Sequence, residues 1–269
     1  MTVQPRMAST VMLLRDGAGG VGDGGIEVFM VRRVVQSEFM PNLYVFPGGS
    51  ASGDDRAAEQ AEGICAPVTP VPNDAEGLTA LGSGIRAAAI REVFEEANIL
   101  LAYPREHADQ LLSIDEETDA RFADYRRAFN ERQGSLVEMA RAEGLKLATD
   151  RLVYCAHWIT PEGLPKRFDT YFFLAAVPAG QQALYDRLET SEGVWVRPGD
   201  ALERYERGVF PVAFPTFHQL RDLRAYESVR QALEAPRVVP LHMPTLVYKD
   251  GKPHHVYLPE EPERAWTLS

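Results

Sequence analysis

Two apolar, β-branched segments, residues 8–14 and 26–33, stand on either side of the run DGAGGVGDGG at 16–25. Its glycines can take the positive φ angles of a turn, so the pattern predicts an antiparallel strand pair. A third short strand is expected at 43–46. It stops at Pro47-Gly48-Gly49, because proline removes a ladder donor and glycine permits an unusual backbone path. Residues 50–77 mix Gly, Pro, Asp and Ala without period and read as a loop. From 83 to 97, Ile85, Ala89, Ile90, Val93 and Ala97 recur at helical spacing, with Ser83 as N-cap. Asn98 follows, and asparagine readily takes the left-handed turn at a helix C-terminus. Leu111, Leu112, Phe122, Tyr125, Phe129, Leu136 and Met139 predict two or three helices within 105–147. Strands are expected at 152–159, 168–177 and 194–196. A short helix capped by Asp200 should run through Arg207, a longer one over 215–234, and a hairpin should turn at 249–252. No repeat or linker divides the chain, which reads as one domain over 1–269.

Composition narrows the function. The 269 residues carry 28 basic and 39 acidic side chains, a formal charge of −11, with 45% hydrophobic positions. Such a chain can offset its ordering entropy by burial, which excludes disorder over most of its length. The acidic balance disfavours polymeric nucleic acid and anionic membranes, whose recognition needs a basic field. Cys65 and Cys155 are too far apart to form a zinc motif or a disulfide framework, and read as buried free thiols. There is no basic leader followed by a long apolar run, no apolar stretch of membrane-spanning length, and the last residues, Thr267-Leu268-Ser269, are not of the Ser-Lys-Leu type. The expectation is a cytoplasmic protein.

The chemistry concentrates in Arg91-Glu92-Val93-Phe94-Glu95-Glu96-Ala97-Asn98-Ile99. On a helix Glu92, Glu95 and Glu96 share one face, and like charges one turn apart repel by roughly 0.2–0.5 kcal/mol per pair. A bound divalent cation would reverse that sign. Hard oxygen ligands suit Mg²⁺ or Mn²⁺, which complete their shells with water and phosphate oxygens. The plain alternative is a solvated face compensated by Arg91.

With the preceding Phe46-Pro47-Gly48-Gly49, this segment resembles the signature of the Nudix hydrolases: Gly, five residues, Glu, seven residues, then Arg-Glu-apolar-x-Glu-Glu-x-Gly-apolar. Taking Gly49 as the first glycine requires an insertion at about 50–77 and leaves the first glutamate unassigned. An unbroken reading from Gly77 puts Ser83 in its place. Asn98 stands for the closing glycine. SEFMPNLYVFPGG, the helical insert, AHWITPEGLPKRFDTYFFLA and ETSEGVWVRPGDAL are similar to the Nudix branch that includes the peroxisomal coenzyme A diphosphatases and many bacterial relatives. That branch's Leu-Leu-Thr-x-Arg run upstream of the glycines is not evident.

The resemblance implies an α/β Nudix fold, a mixed β-sheet sandwiched between helices, with a helical insertion at 105–147 and a C-terminal hairpin. It also implies metal-dependent cleavage of a nucleoside diphosphate linked to another moiety. Coenzyme A or acyl-coenzyme A would be the substrate, with ADP-ribose, NADH, nucleotide sugars or dinucleotides as alternatives. A catalytically silent nucleotide-binding or scaffold domain is the competing class. Carried over, Glu92 and Glu96 would bind Mg²⁺ or Mn²⁺, with Glu95 as third ligand or base, Arg91 orienting a glutamate and Gly49 offering its carbonyl. Glu189, ahead of Glu192, is the candidate base outside the helix. Arg32, Arg33 and Arg167 are candidate phosphate contacts, with Asp169 beside Arg167. His242, His254 and His255 read as hairpin surface and His157 as core or pocket wall. A homodimer is expected because Nudix relatives often pair.

Overall fold

The computed structural model describes residues 3–17, 25–36, 41–69, 80–107, 109–186 and 188–267. Most of the anticipated turn at 16–25, and Gly77, lie outside them. The strands are β1 (Arg6–Asp16), β2 (Ile26–Arg33), β3 (Tyr44–Val45) and β4 (Gly48–Ser50), followed by helices α1 (Gly53–Gln60) and α2 (Ile85–Ala97). Next come β5 (Ala102–Pro104), α3 (Glu116–Asn130), α4 (Leu136–Ala142), β6 (Leu145–Leu147), β7 (Val153–Ile159), β8 (Phe168–Ala176) and β9 (Thr190–Val196). The chain continues through α5 (Pro198–Glu206), α6 (Phe214–Leu223), α7 (Val229–Glu234), β10 (Leu241–His242), β11 (Thr245–Lys249), β12 (Lys252–Tyr257) and β13 (Trp266–Thr267).

The central sheet runs β10-β7-β8-β1-β2-β3, with β4 also on β1 and β9 also on β2. It is mixed: β1 is parallel to β8 and antiparallel to β2. One edge of β1 is shared. Residues 14–16 pair with β2, whereas 8–10 pair with β4, so the sheet opens between β2 and β4. Alternation along β1 sends Val11 and Leu13 to one core and Met12 and Leu14 to another. On the first face α2 packs with Ile90, Val93 and Phe94 fully buried, and Phe94 meets Phe122 and Phe129 of α3 edge-on. The second face is covered by α5, α6 and α7, with Leu246 and Val256 of the C-terminal sheet β11-β12-β13 joining it. Helices thus sandwich a mixed sheet, as the resemblance implied.

Several local expectations are corrected. Residues 53–60 form a helix rather than loop, opened by a capping box between Ser52 and Asp55. Its buried residues are Asp55, Ala58 and Glu59, so its inward face carries two carboxylates and shows no apolar period. Asp200 lies inside α5, whose N-cap is Arg197 with Pro198 starting the helix. The segment 215–234 is two helices, because Ser228 caps α7 anew and Asp16 accepts from the Val229 N–H at 2.8 Å. β9 begins at Thr190 and pairs along β2 as far as Arg33. The hairpin turns through Asp250 (φ 52°) and Gly251 (φ 75°) as expected, with β13 added to it. Among the described residues no helix is long and apolar enough to cross a membrane.

Candidate active site

The start of α2 is fixed from outside. Gly84, in the left-handed region at φ 86°, is its N-cap and supplies no side chain; a Cβ there would lie 2.8 Å from the Arg56 nitrogen. The Glu59 carboxylate of α1 takes over the role foreseen for Ser83. One oxygen accepts from the Gly82 and Gly84 N–H groups at 2.6 and 2.7 Å, the other from Arg86 and Ala87 at 2.8 and 3.0 Å. A helix N-terminus presents orphan donors and a partial positive charge, and a buried carboxylate satisfies both. At the other end Asn98 takes the left-handed conformation, and its N–H and that of Ile99 close onto Phe94 and Val93 carbonyls.

Between these ends Arg91 gathers carboxylates. Its guanidinium donates to both Asp55 oxygens (2.8 and 3.0 Å), to Glu92 (2.8 Å) and to Glu95 (2.9 Å), and also to the Ser50 carbonyl. Burial works against the Arg91 charge, but Glu92, Asp55 and Glu95 outweigh it and raise its pKa. Asp55 is fully buried and stands six positions after Gly49, where the Nudix pattern puts its first glutamate. The unassigned box residue is therefore an aspartate, and the insertion begins beyond α1 rather than at residue 50. Keeping the glycine-to-acid spacing and accepting Asp for Glu would have found it from sequence.

Glu92 and Glu96 are buried at 8% and 6% exposure. The Gly48 N–H donates to Glu96 at 3.0 Å, and Gly49 lies under Glu92: a Cβ there would stand 2.7 Å from the carboxyl carbon. Burial pushes the Glu92 carboxyl up to about 7, against the pull of Arg91, with Glu95 adding to the rise. Glu96 is raised well above the usual carboxylate range by burial and then by Glu92, while Arg33 and the Gly48 N–H pull it back. Glu95 is raised chiefly by burial as well. These three side chains, Gly49, Arg33 and Glu189 line one cavity of about 760 Å³ in the opening of the sheet. Asp54 of α1 also lines it, as do Phe129, Asn130 and Arg132 of the helical insert.

Other candidates lie elsewhere. Arg32 does not line this cavity: it turns toward Tyr44 and Glu192, 5.4 Å from the ring and 3.9 Å from the carboxylate. The pairing of β2 with β9 shifts register between Arg32 and Arg33, and of the two only Arg33 borders the cavity. Glu192 accepts the Tyr44 hydroxyl at 2.7 Å. Arg167 is buried and donates to the Thr160 and Val3 carbonyls, bordering a second cavity. Asp169 pairs with His157 at 2.5 Å, and the His157 ring stacks on Tyr171. His254 and His255 sit ring to ring in β12 and His242 pairs with Glu260. Cys65 and Cys155 are free, and burial pushes both thiols up to about 12.

The donor set fits a divalent cation. Two buried carboxylates beside each other disfavour their charged forms, and a dication next to them removes that penalty. As the side chains stand, Glu92 and Glu95 turn to Arg91, and no three His, Cys, Asp or Glu among the described residues converge on one point. Glu92 and Glu96, with the backbone at 48–49, are the groups that would hold the ion.

Comparison with known proteins shows which family the chain is similar to. The chain is 26% identical over 234 residues to the acyl-coenzyme A diphosphatase NUDT19 of Xenopus laevis, covering 76% of this chain and 61% of that protein. It is 28% identical to the Gallus gallus protein of the same name, over 96% of this chain and 81% of that one. The chain thus spans less than two thirds of the Xenopus relative. Among solved structures, a Nudix hydrolase from Alicyclobacillus acidocaldarius superimposes with a TM-score of 0.71 at 26% identity, over 88% of this chain and 99% of that one. A profile of the NUDT19 Nudix domain matches residues 66–223, and by that match the chain belongs to the NUDT19 Nudix domain family and is a Nudix hydrolase.

Proposed function

We propose that this chain hydrolyses the diphosphate of coenzyme A or an acyl-coenzyme A, with a divalent cation such as Mg²⁺ or Mn²⁺ held by Glu92 and Glu96. The observation that carries this reading is the pair of buried, charge-disfavoured carboxylates packed on Gly48 and Gly49 at the wall of a cavity. Nudix hydrolases generally use divalent metal ions, and the names of the relatives support the coenzyme A substrate. When bound, the cation would supply charge neutralisation for the diphosphate and a more acidic water.

The chain's own residues do the rest. Arg91, anchored by Asp55, holds Glu92 and Glu95 in place. Arg33, across from Glu96, draws the diphosphate in as a charged donor. Glu189, at the cavity rim, accepts the proton of the attacking water. Water adds to one phosphorus, the bridging P–O bond breaks, and each half leaves as a phosphate monoester.

The test is product release from coenzyme A, acetyl-coenzyme A, ADP-ribose, NADH, a nucleotide sugar and a dinucleoside polyphosphate, with Mg²⁺ or Mn²⁺ and with chelator. Metal-dependent cleavage that favours the coenzyme A compounds supports the reading. A better substrate elsewhere in the panel would reassign it, and no turnover with no metal binding would leave a binding domain.

A further inference from the structure

The 760 Å³ cavity does not end at the carboxylates. It extends across β7 and β8 to an apolar region walled by Trp158, Phe172, Phe214, Pro244, Leu246 and Val256. Three of these belong to the C-terminal segment, beyond the residues matched by the family profile. That segment is integral to the wall: β10 pairs with β7 at Trp158, and Leu246 and Val256 share a core with Phe172 and Phe214.

A second cavity of about 460 Å³ adjoins the first at Glu96. Arg6, Arg33, Lys166 and Arg167 border it, against Glu96 and Glu189. Arg6 and Arg33 lie where the two cavities meet, and Lys166 and Arg167 border the second alone. Both cavities share Arg6, Arg33, Ser50, Glu96, Phe168 and Glu189, and the turn between β7 and β8 contributes Leu164 to the apolar side and Lys166 to the basic side.

Resting on the function proposed above, we infer that the cleft is two-lobed and fixes the direction of the substrate. The scissile diphosphate lies at Glu96, the half bearing further phosphate groups occupies the basic cavity, and an uncharged apolar arm occupies the lobe completed by the C-terminal sheet. A diphosphate with one apolar and one multiply phosphorylated half matches both lobes. A nucleotide sugar, polar at both ends, leaves the apolar lobe unused. Buried apolar surface contributes in proportion to its area, so the second lobe favours an acyl arm over none.

Two variants separate the lobes: Leu246→Trp, which fills the apolar wall, and Arg6→Ala/Lys166→Ala, which strips the exposed cations of the basic one, Arg6 at its junction with the first cavity and Lys166 beyond it. Binding is read by calorimetry with two probes that need no turnover, dodecanoyl-pantetheine and adenosine 3′,5′-bisphosphate. Leu246→Trp should weaken the pantetheine probe about tenfold more than the bisphosphate, a factor typical of a reshaped apolar pocket. The basic double variant should do the reverse by about tenfold, as expected for lost charged donors. In turnover, Leu246→Trp should lower kcat/KM for dodecanoyl-coenzyme A relative to free coenzyme A, and the double variant should erase discrimination between coenzyme A and its 3′-dephospho form. Equal effects of both variants on both probes, or none, would overturn the two-lobed cleft. Lobe-specific binding without cleavage of any coenzyme A compound would instead refute the proposed reaction and leave the cleft standing.

Discussion

Helices α2 and α3 both carry runs of acidic and basic side chains, yet the fold treats their charges in opposite ways. On α3 only Phe122 and Phe129 are buried, and its Arg127–Asp124 pair is 65% and 76% exposed. Solvent screens such a pair, which is worth at most about 1 kcal/mol. On α2 nearly every position is buried, and Glu92 and Glu96 lie inside with no surplus of positive charge near them. Charge density in the sequence is similar. What separates a solvated face from a site is the backbone that closes over it, here Gly48 and Gly49 of β4, together with the single guanidinium of Arg91 shared among three carboxylates.

The comparison breaks most severely at Asp55. Asp55→Ala removes the bidentate partner of Arg91 and leaves a buried charge imbalance, so denaturant unfolding should show a loss of about 3–4 kcal/mol. A similar position on α3 has no such partner to lose.

A cation sharpens the contrast by a smaller amount, with a defined pH dependence. The folded-state pKa values of Glu92, raised to about 7, and of Glu96 lie above the unfolded value of about 4.3. Without metal the folded chain therefore binds more protons, and the stability from these groups is present below that unfolded value and lost as pH rises toward 7. A cation must displace those protons. Saturating Mn²⁺ should raise Tm by roughly 6 °C at pH 8, equivalent to about 3 kcal/mol, and by less than half of that at pH 6.

His218 offers an independent check at comparable size. Buried beside Trp158 and Phe214, it is held neutral, with burial and then Arg221 lowering its pKa to about 4. Its contribution is present above pH 6.5 and lost as pH falls toward 4. His218→Gln should remove about 2 kcal/mol of that acid sensitivity in pH-dependent unfolding. At the small end, Arg127→Ala on α3 should change stability by under about 0.5 kcal/mol and leave turnover intact.

The sequence disclosed what local rules determine. Apolar period marked α2, Asn98 its left-handed end, apolar and aromatic runs β1, β2, β7 and β8, and Asp250-Gly251 the last turn. It concealed what depends on distant partners. α1 buries carboxylates instead of apolar groups, so no hydrophobic period announces GDDRAAEQ. Asp55 and Glu59 act on residues 36 and 23 or more positions away, across the insertion. Arg32 and Arg33 were indistinguishable until the fold placed Arg33 at the cavity and Arg32 against Tyr44 and Glu192. The C-terminal hairpin was legible, but its share of the cavity wall follows only from the two-residue pairing of β10 with β7.

The central claim is that α2 keeps Glu96 buried for a cation and not for stability. Glu96→Gln, measured side by side for coenzyme A turnover with Mn²⁺ and for thermal unfolding with chelator, tests it directly. Turnover should fall about 1000-fold, roughly 4 kcal/mol of lost transition-state stabilisation. The cation-free variant should meanwhile be at least as stable as the wild type, because a carboxyl whose charged form burial disfavours has been replaced by a neutral amide. Retained turnover, or a loss of activity matched by a comparable loss of stability, would contradict the account.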